Sequence, residues 1–90
     1  MAKASIDPQQ VRAFAAELKT FNQELQNRMI SLMGRYKALG ETWQDQEHAR
    51  FADEFERAMK SLRKFIETSN NQAPLLVRKA DKIDEYLKQR

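Results

Sequence analysis

The chain has 90 residues, with 16 Lys and Arg against 13 Asp and Glu, for a formal charge of +3. That length holds one small domain, which would bury only about 60% of its unfolded surface on folding, so a lone core is marginal. With no cysteine, disulfides and thiolate metal sites are excluded, and association between chains is the remaining way to gain stability.

The sequence begins MAKASIDPQQ, one Lys with no apolar stretch behind it. No conventional signal peptide is expected, and no run approaches the roughly 20 apolar residues that a membrane span needs. The expectation is synthesis in the cytoplasm, with any export proceeding without a cleavable leader.

Asp7-Pro8 reads as a helix start, because Asp7 can cap free N–H groups and Pro8 fits the first helical position. A helix is predicted over about residues 8–39 on the apolar steps Val11, Phe14, Leu18, Phe21, Leu25, Met29, Leu32, Tyr36, Leu39. Gly34 should weaken it slightly, and Gly40 suits a left-handed end. After a turn at 40–43, with Thr42 a candidate cap, a second helix is predicted over about 44–88. Its stripe reads His48, Phe51, Phe55, Met59, Leu62, Ile66, Ser69, Ala73, Leu76, Ala80, Ile83, Leu87. Pro74 removes the bond to the Asn70 carbonyl, so a kink or break is expected near 70–74 inside one domain spanning 1–90.

Folded back antiparallel, the helices set Leu18 opposite Ile66, Leu25 opposite Met59, Met29 opposite Phe55 and Tyr36 opposite His48. Two double four-residue steps, Phe21-Leu25-Met29 and Phe51-Phe55-Met59, then face each other, which suggests matched local winding. The same register predicts the ion pairs Glu24–Lys60 and Arg28–Glu56. One hairpin leaves apolar surface uncovered. Phe51, Ala58 and Phe65 form a second stripe, and Leu76, Ala80 and Ile83 form a tail past the start of the first helix. At about 1.5 Å per residue the helices would be about 48 Å and 67 Å long. The fold class is therefore all-α, a helix-turn-helix hairpin pairing into a four-helix bundle. These six residues are the expected dimer interface. A homodimer is the first expectation, and a heterodimer with a related hairpin is the alternative.

Asp45-x-x-His48 sets an acid and an imidazole on one helical face, a fragment of the sites that bundles use for metals. Glu17 and Glu24 lie beside the apolar seam and far from the turn, so no metal or other cofactor is expected. There is no thiol, second His, Gly-rich phosphate loop or Ser beside His48. A hairpin also offers little concave volume, so neither catalysis nor a small-molecule substrate is expected. His48 reads as a half-buried imidazole bonded to Tyr36 or solvent, and Trp43 as a plug over the bundle end. Arg78, Lys79, Lys82, Lys88 and Arg90 suit a helix C-terminus, and with both signs interspersed along the chain nucleic-acid and membrane binding are not expected.

A short helical hairpin with Trp at the turn and Phe eight residues later, here Trp43 and Phe51, resembles the Trp-x-Gly family. These are the early-secreted-antigen-like proteins associated with type VII secretion. The resemblance implies homo- or heterodimers forming four-helix bundles, exported folded and acting as partners, adaptors or effectors. Two departures stand out. Asp45 occupies the position of the motif glycine, where it could cap the second helix instead. The family's export signal is Tyr followed four residues later by an acid, whereas Tyr86 is followed at that spacing by Arg90. The functional expectation is a protein–protein interaction module linked to that secretion route. The alternative is a cytosolic structural or regulatory coiled-coil dimer with no export role.

Overall fold

The computed structural model describes residues 6–88. Arg90, and with it the end of the Tyr86 spacing, lies outside that span. Two helices make up the described chain, α1 over Pro8–Leu39 and α2 over Gln46–Lys88. They form a slab measuring 67 × 27 × 16 Å, about one helix layer thick.

Each start is fixed by an aspartate. Asp7 Oδ1 accepts from the Gln9 N–H at 2.9 Å, with Pro8 at the first helical position. Asp45 Oδ1 accepts from the His48 N–H at 2.9 Å, so Asp45 caps α2 and Thr42 does not. The Thr42 hydroxyl donates instead to the Leu39 carbonyl. Gly40 closes α1 with φ −64° and ψ −17°, right-handed, so the left-handed ending expected of this glycine is not used. No break occurs at 70–74, and α2 is helical throughout with Pro74 inside it.

The helices meet along a seam of strict seven-residue spacing. On α1 the buried residues are Pro8, Ala15, Asn22 and Met29, continued by half-buried Tyr36. On α2 they are Met59, Ile66, Ala73 and Ala80, with Ser69 between. Alternating steps of four and three run from His48 through Ala52, Phe55 and onward to Ile83, the pattern of a coiled-coil seam. Met29, Met59 and Ile66, with Leu25, Phe55 and Leu62 against them, form the apolar cluster. Tyr36 stacks on His48, and the members of the expected Leu25–Met59 and Met29–Phe55 pairs share the cluster.

The facing stutters dissolve. Phe21 and Phe51 are exposed by 54% and 43%, while their neighbours Asn22 and Ala52 occupy the seam. Phe14, Leu32 and Leu39 also face out. Small residues on both helices, Ala15, Ala73, Ala80 and Ser69, let the axes approach where a phenylalanine would hold them apart.

Ala80 shows the second correction, because it is fully buried within the hairpin and cannot serve as an open interface residue. The expected register set Leu18 against Ile66, whereas Asn22 meets Ser69 and Asn70, so α2 lies shifted along α1 and Ala80 falls opposite the first turns of α1, beside buried Pro8. Arg12 makes this visible by binding Asp81 at 2.7 Å and Asp84 at 2.6 Å. These are the ion pairs found among the described residues. Neither Glu24–Lys60 nor Arg28–Glu56 forms.

Inside the seam Asn22 is 1% exposed. Its Nδ2 donates to Ser69 Oγ at 2.7 Å and to Asn70 Oδ1 at 2.9 Å. Ser69 Oγ donates in turn to the Phe65 carbonyl at 2.6 Å. Asn22 Oδ1 is buried without a partner.

Candidate functional site: the turn and the phenylalanine flank

The turn is a closed hydrogen-bonded unit. The Leu39 carbonyl accepts from the N–H groups of Thr42 at 3.1 Å and Trp43 at 2.9 Å, and Gly40 N–H returns to the Tyr36 carbonyl at 3.1 Å. Gln44 Nε2 donates to the Gly40 carbonyl. These bonds satisfy carbonyls that the end of α1 would otherwise leave open. Asp45 then begins α2. Its carboxyl is held below its ordinary value, first by the His48 backbone N–H against a desolvation cost, then by the Trp43 indole.

Trp43 does cover this end, and it does so by packing on aromatic rings. Its ring lies 4.9 Å from His48, edge to face, and 6.3 Å from Phe51. Tyr36 stacks parallel to His48 at 5.4 Å and lies 4.6 Å from Phe55. Offset and edge-on arrangements at these distances add about 0.5–1.5 kcal/mol per pair beyond area burial. Of the two partners expected for His48, Tyr36 or solvent, Tyr36 stacks on the ring without a hydrogen bond. Tyr36 Oη and His48 Nε2 are both buried without partners. Among the described residues no group of three or more His, Cys, Asp or Glu side chains is placed to hold a metal ion.

From this cluster an apolar flank runs along one edge of the hairpin. Phe51 and Phe65 are exposed by 43% and 45%, with exposed Ala58 between them. Sequence reasoning missed its other half. Phe14 and Phe21 on α1, 59% and 54% exposed, sit one residue before Ala15 and Asn22, as Phe51 and Phe65 sit one before Ala52 and Ile66. Phe21 meets Phe65 edge to face at 6.4 Å, so both rows lie on one flank. The seven-residue interval from Phe14 to Phe21, matching that of Phe51, Ala58 and Phe65, was the available signal. Leu76 and Ile83 are half-buried. Among the described residues thirteen large apolar side chains are exposed, Phe14, Phe21, Phe51 and Phe65 among them. Among the described residues no helix is long and apolar enough to cross a membrane.

Comparison with known proteins gives one family. The model of WXG100, described as proteins of 100 residues with WXG, matches residues 3–86. Comparison with curated proteins finds no match. Among solved structures the chain is similar to the secreted protein EsxB of Bacillus anthracis strain Sterne. Its selenomethionine-labelled form is 26% identical with a TM-score of 0.72, over 96% of this chain and 98% of that one. Its wild-type form is 27% identical with a TM-score of 0.71, over 91% and 94%. The helical hairpin is common to all of them.

Proposed function

This chain belongs to the WXG100 family, and from that premise we propose that it works by docking its phenylalanine flank against a second copy of itself, the pair being a type VII secretion substrate or accessory. As a small protein of that secretion-associated family it needs no catalytic group of its own. The observation that carries the proposal is the apolar flank of Phe14, Phe21, Phe51, Ala58 and Phe65, which the hairpin leaves uncovered.

Charge supports the same partner. Residues seven apart share a helix face, and residues four apart are neighbours. Beside the flank, α1 carries Glu17 and Glu24 toward its open end and Arg28 and Arg35 toward the turn. On α2 the order reverses in space, with Glu47 and Glu54 near the turn and Lys79 and Lys82 at the open end. A two-fold related copy lying face to face therefore sets acid against base along both helices. Such pairs select the arrangement more than they strengthen it.

Sedimentation at micromolar concentration should show a dimer whose thermal stability rises with concentration. Phe65→Asp should shift it to monomer, since an unpaired carboxylate would be buried between copies. A folded monomer would leave a related hairpin as the partner instead. Export is tested separately: the chain should accumulate in the medium of its own cells and be retained when the secretion ATPase is deleted. Retention in both strains would favour the cytosolic coiled-coil reading, which the Tyr86–Arg90 spacing supports.

A further inference from the structure

The flank opposite the phenylalanines holds a groove of about 1030 Å³ between α1 and α2. Its floor is low because the seam there is built from Ala15, Asn22 and Ala73. Its rim carries Lys19 and Arg78, and Gln23, Gln26 and Asn70 line the walls. No aspartate or glutamate lines it.

Arg12, which also lines the groove, draws two carboxylates to itself and forms a trio of net negative charge at the open end, so the cationic part of the rim is Lys19 and Arg78. Asp81 and Asp84 are both engaged by the Arg12 guanidinium. Lys19 and Arg78 are thus left without a carboxylate within ion-pair distance among the described residues. The nearby Glu85 lines no part of the groove. Pro74, also in the wall, has no N–H to give to the Asn70 carbonyl, so that backbone acceptor lacks its helical partner. Asn22 Oδ1 is a second acceptor without one, on a side chain that is 1% exposed. The groove thus offers cations at its rim and amide donors and acceptors on its walls. That combination fits a peptide main chain carrying acidic side chains.

We propose that this groove docks an acidic peptide segment of another protein, its carboxylates on Lys19 and Arg78 and its backbone on the Gln23, Gln26 and Asn70 amides. The site flanks the seam on the side away from Phe21 and Phe65, so a second copy seated on the phenylalanines leaves it open. A recessed trough between two helices suits a chain segment, whereas a flat bilayer surface would reach only the rim.

The test is an amide NMR titration of the full chain with a synthetic glutamate-rich peptide that is not helical, its backbone groups free, and with its lysine-for-glutamate counterpart. Saturable shifts are expected at Ala15, Ala16, Lys19, Gln23, Ala73 and Val77 with the acidic peptide alone. They should weaken at high salt, as contacts between exposed charges do. The double variant Lys19→Glu/Arg78→Glu should lower affinity at least about tenfold, a change on the scale of 1.4 kcal/mol. Arg50→Glu/Arg57→Glu, two exposed positions elsewhere on α2, should bind as the parent does. The proposal is overturned by an absence of shifts at the groove, by equal shifts along the phenylalanine flank, or by binding that survives the Lys19/Arg78 change. Loss of binding to phosphatidylglycerol vesicles in that variant, without any peptide shift, would also overturn it in favour of a lipid. The same variant must still sediment as the parent does. If it dissociates, the groove belongs to self-assembly and this proposal fails while the docking of two copies stands.

Discussion

Replacing Asn22 with leucine should make the protein more stable, although it removes two hydrogen bonds from the seam. The bonds are those to Ser69 Oγ and Asn70 Oδ1, and each contributes about 0.5–1.5 kcal/mol net. Neither partner is stranded by the change. Ser69 Oγ still donates to the Phe65 carbonyl, and Asn70 is exposed to water. On the other side, Asn22 Oδ1 has no partner, a buried vacancy that costs about 1–3 kcal/mol. A buried leucine side chain contributes about 1.5–3 kcal/mol over an exposed one. Its extra volume has the adjoining groove to enter, so overpacking is not expected. The net expectation is a gain of about 1–3 kcal/mol, measured by urea unfolding followed at 222 nm at one fixed protomer concentration. A loss of more than about 1 kcal/mol would refute the reasoning, because it would require Oδ1 to be bonded in solution. A gain would imply that Asn22 is retained for something other than stability. The two candidates are the helix register, a known use of buried asparagine in coiled coils, and the groove. They separate cleanly: Asn22→Leu should abolish acidic-peptide shifts if the groove is the reason.

The remaining expectations concern the turn and α1. Phe55→Ala should cost about 3 kcal/mol, the low end for a truncated Phe because Phe55 is half-buried; a loss below about 1 kcal/mol in urea unfolding would place it outside the seam. Gly40→Ala should be neutral or stabilising by up to about 1 kcal/mol, since its φ is −64° and a Cβ would meet the Lys37 carbonyl at 3.4 Å and His48 Nε2 at 3.5 Å. A fall in melting temperature would contradict that geometry. Gly34→Ala, with nothing within 4 Å of the added Cβ, should gain about 0.5–1 kcal/mol in the same assay. The Asp45 carboxyl is depressed below its ordinary 3.8 in the folded chain. Its contribution is therefore complete above about pH 4 and is lost as pH falls through the folded value. Asp45→Asn keeps a capping oxygen without a titrating one, so it should flatten the acid limb of the stability curve; an unchanged limb would show that the cap does not titrate with folding.

The hairpin was legible because both helices announce themselves twice, by start signals (Asp7 for the first, Thr42 or Asp45 for the second, of which Asp45 is the cap) and by apolar periodicity. The seam was misread by one residue at Phe21 and Phe51. Hydropathy ranks Phe far above Ala or Asn, so two stripes one position apart merge into one, and the apparent stutters are where they cross. Only packing distance separates them: close axes select Ala15, Asn22 and Ala52, and push the rings onto a flank. Phe51 and Phe65 were legible as an extra stripe because Phe55, Met59, Leu62 and Ile66 already filled the seam beside them. Phe14 and Phe21 were not, because their seam neighbours are alanine and asparagine. The coverage of Ala80 was likewise hidden, since apolar periodicity alone does not set how the two helices slide: Asn22 meets Ser69 and Arg12 meets Asp84, a register that brings Ala80 under the start of α1. Asn22 and its groove had no hydropathy signal at all.

Asp45 in place of the motif glycine poses a sharper question about what the turn requires. A glycine could be needed for a left-handed backbone, for close approach, or as a tolerated helix cap. No residue in the described chain has positive φ, so the first need is absent. Asp45 is exposed, so the second is absent too. The third remains: Asp, Asn and Ser lead the ranking at the residue preceding a helix, and Gly is accepted there. In this chain the position is a cap, and aspartate fills it with a side-chain oxygen that glycine would have to replace with water. Trp43 can stay where the family places it because the Leu39 carbonyl fixes its backbone and His48, presented by the capped first turn of α2, meets its ring. The substitution thus changes the chemistry that starts α2 while leaving the aromatic closure of the hairpin intact. Asp45→Gly also takes the carboxyl from the Trp43 indole, yet with the Leu39 bond and the His48 contact kept it should preserve the Trp43 fluorescence maximum and lower the melting temperature slightly. A red-shifted maximum would show that the Asp45 carboxyl, through the cap or the indole, and not the Leu39 bond, holds the tryptophan in place.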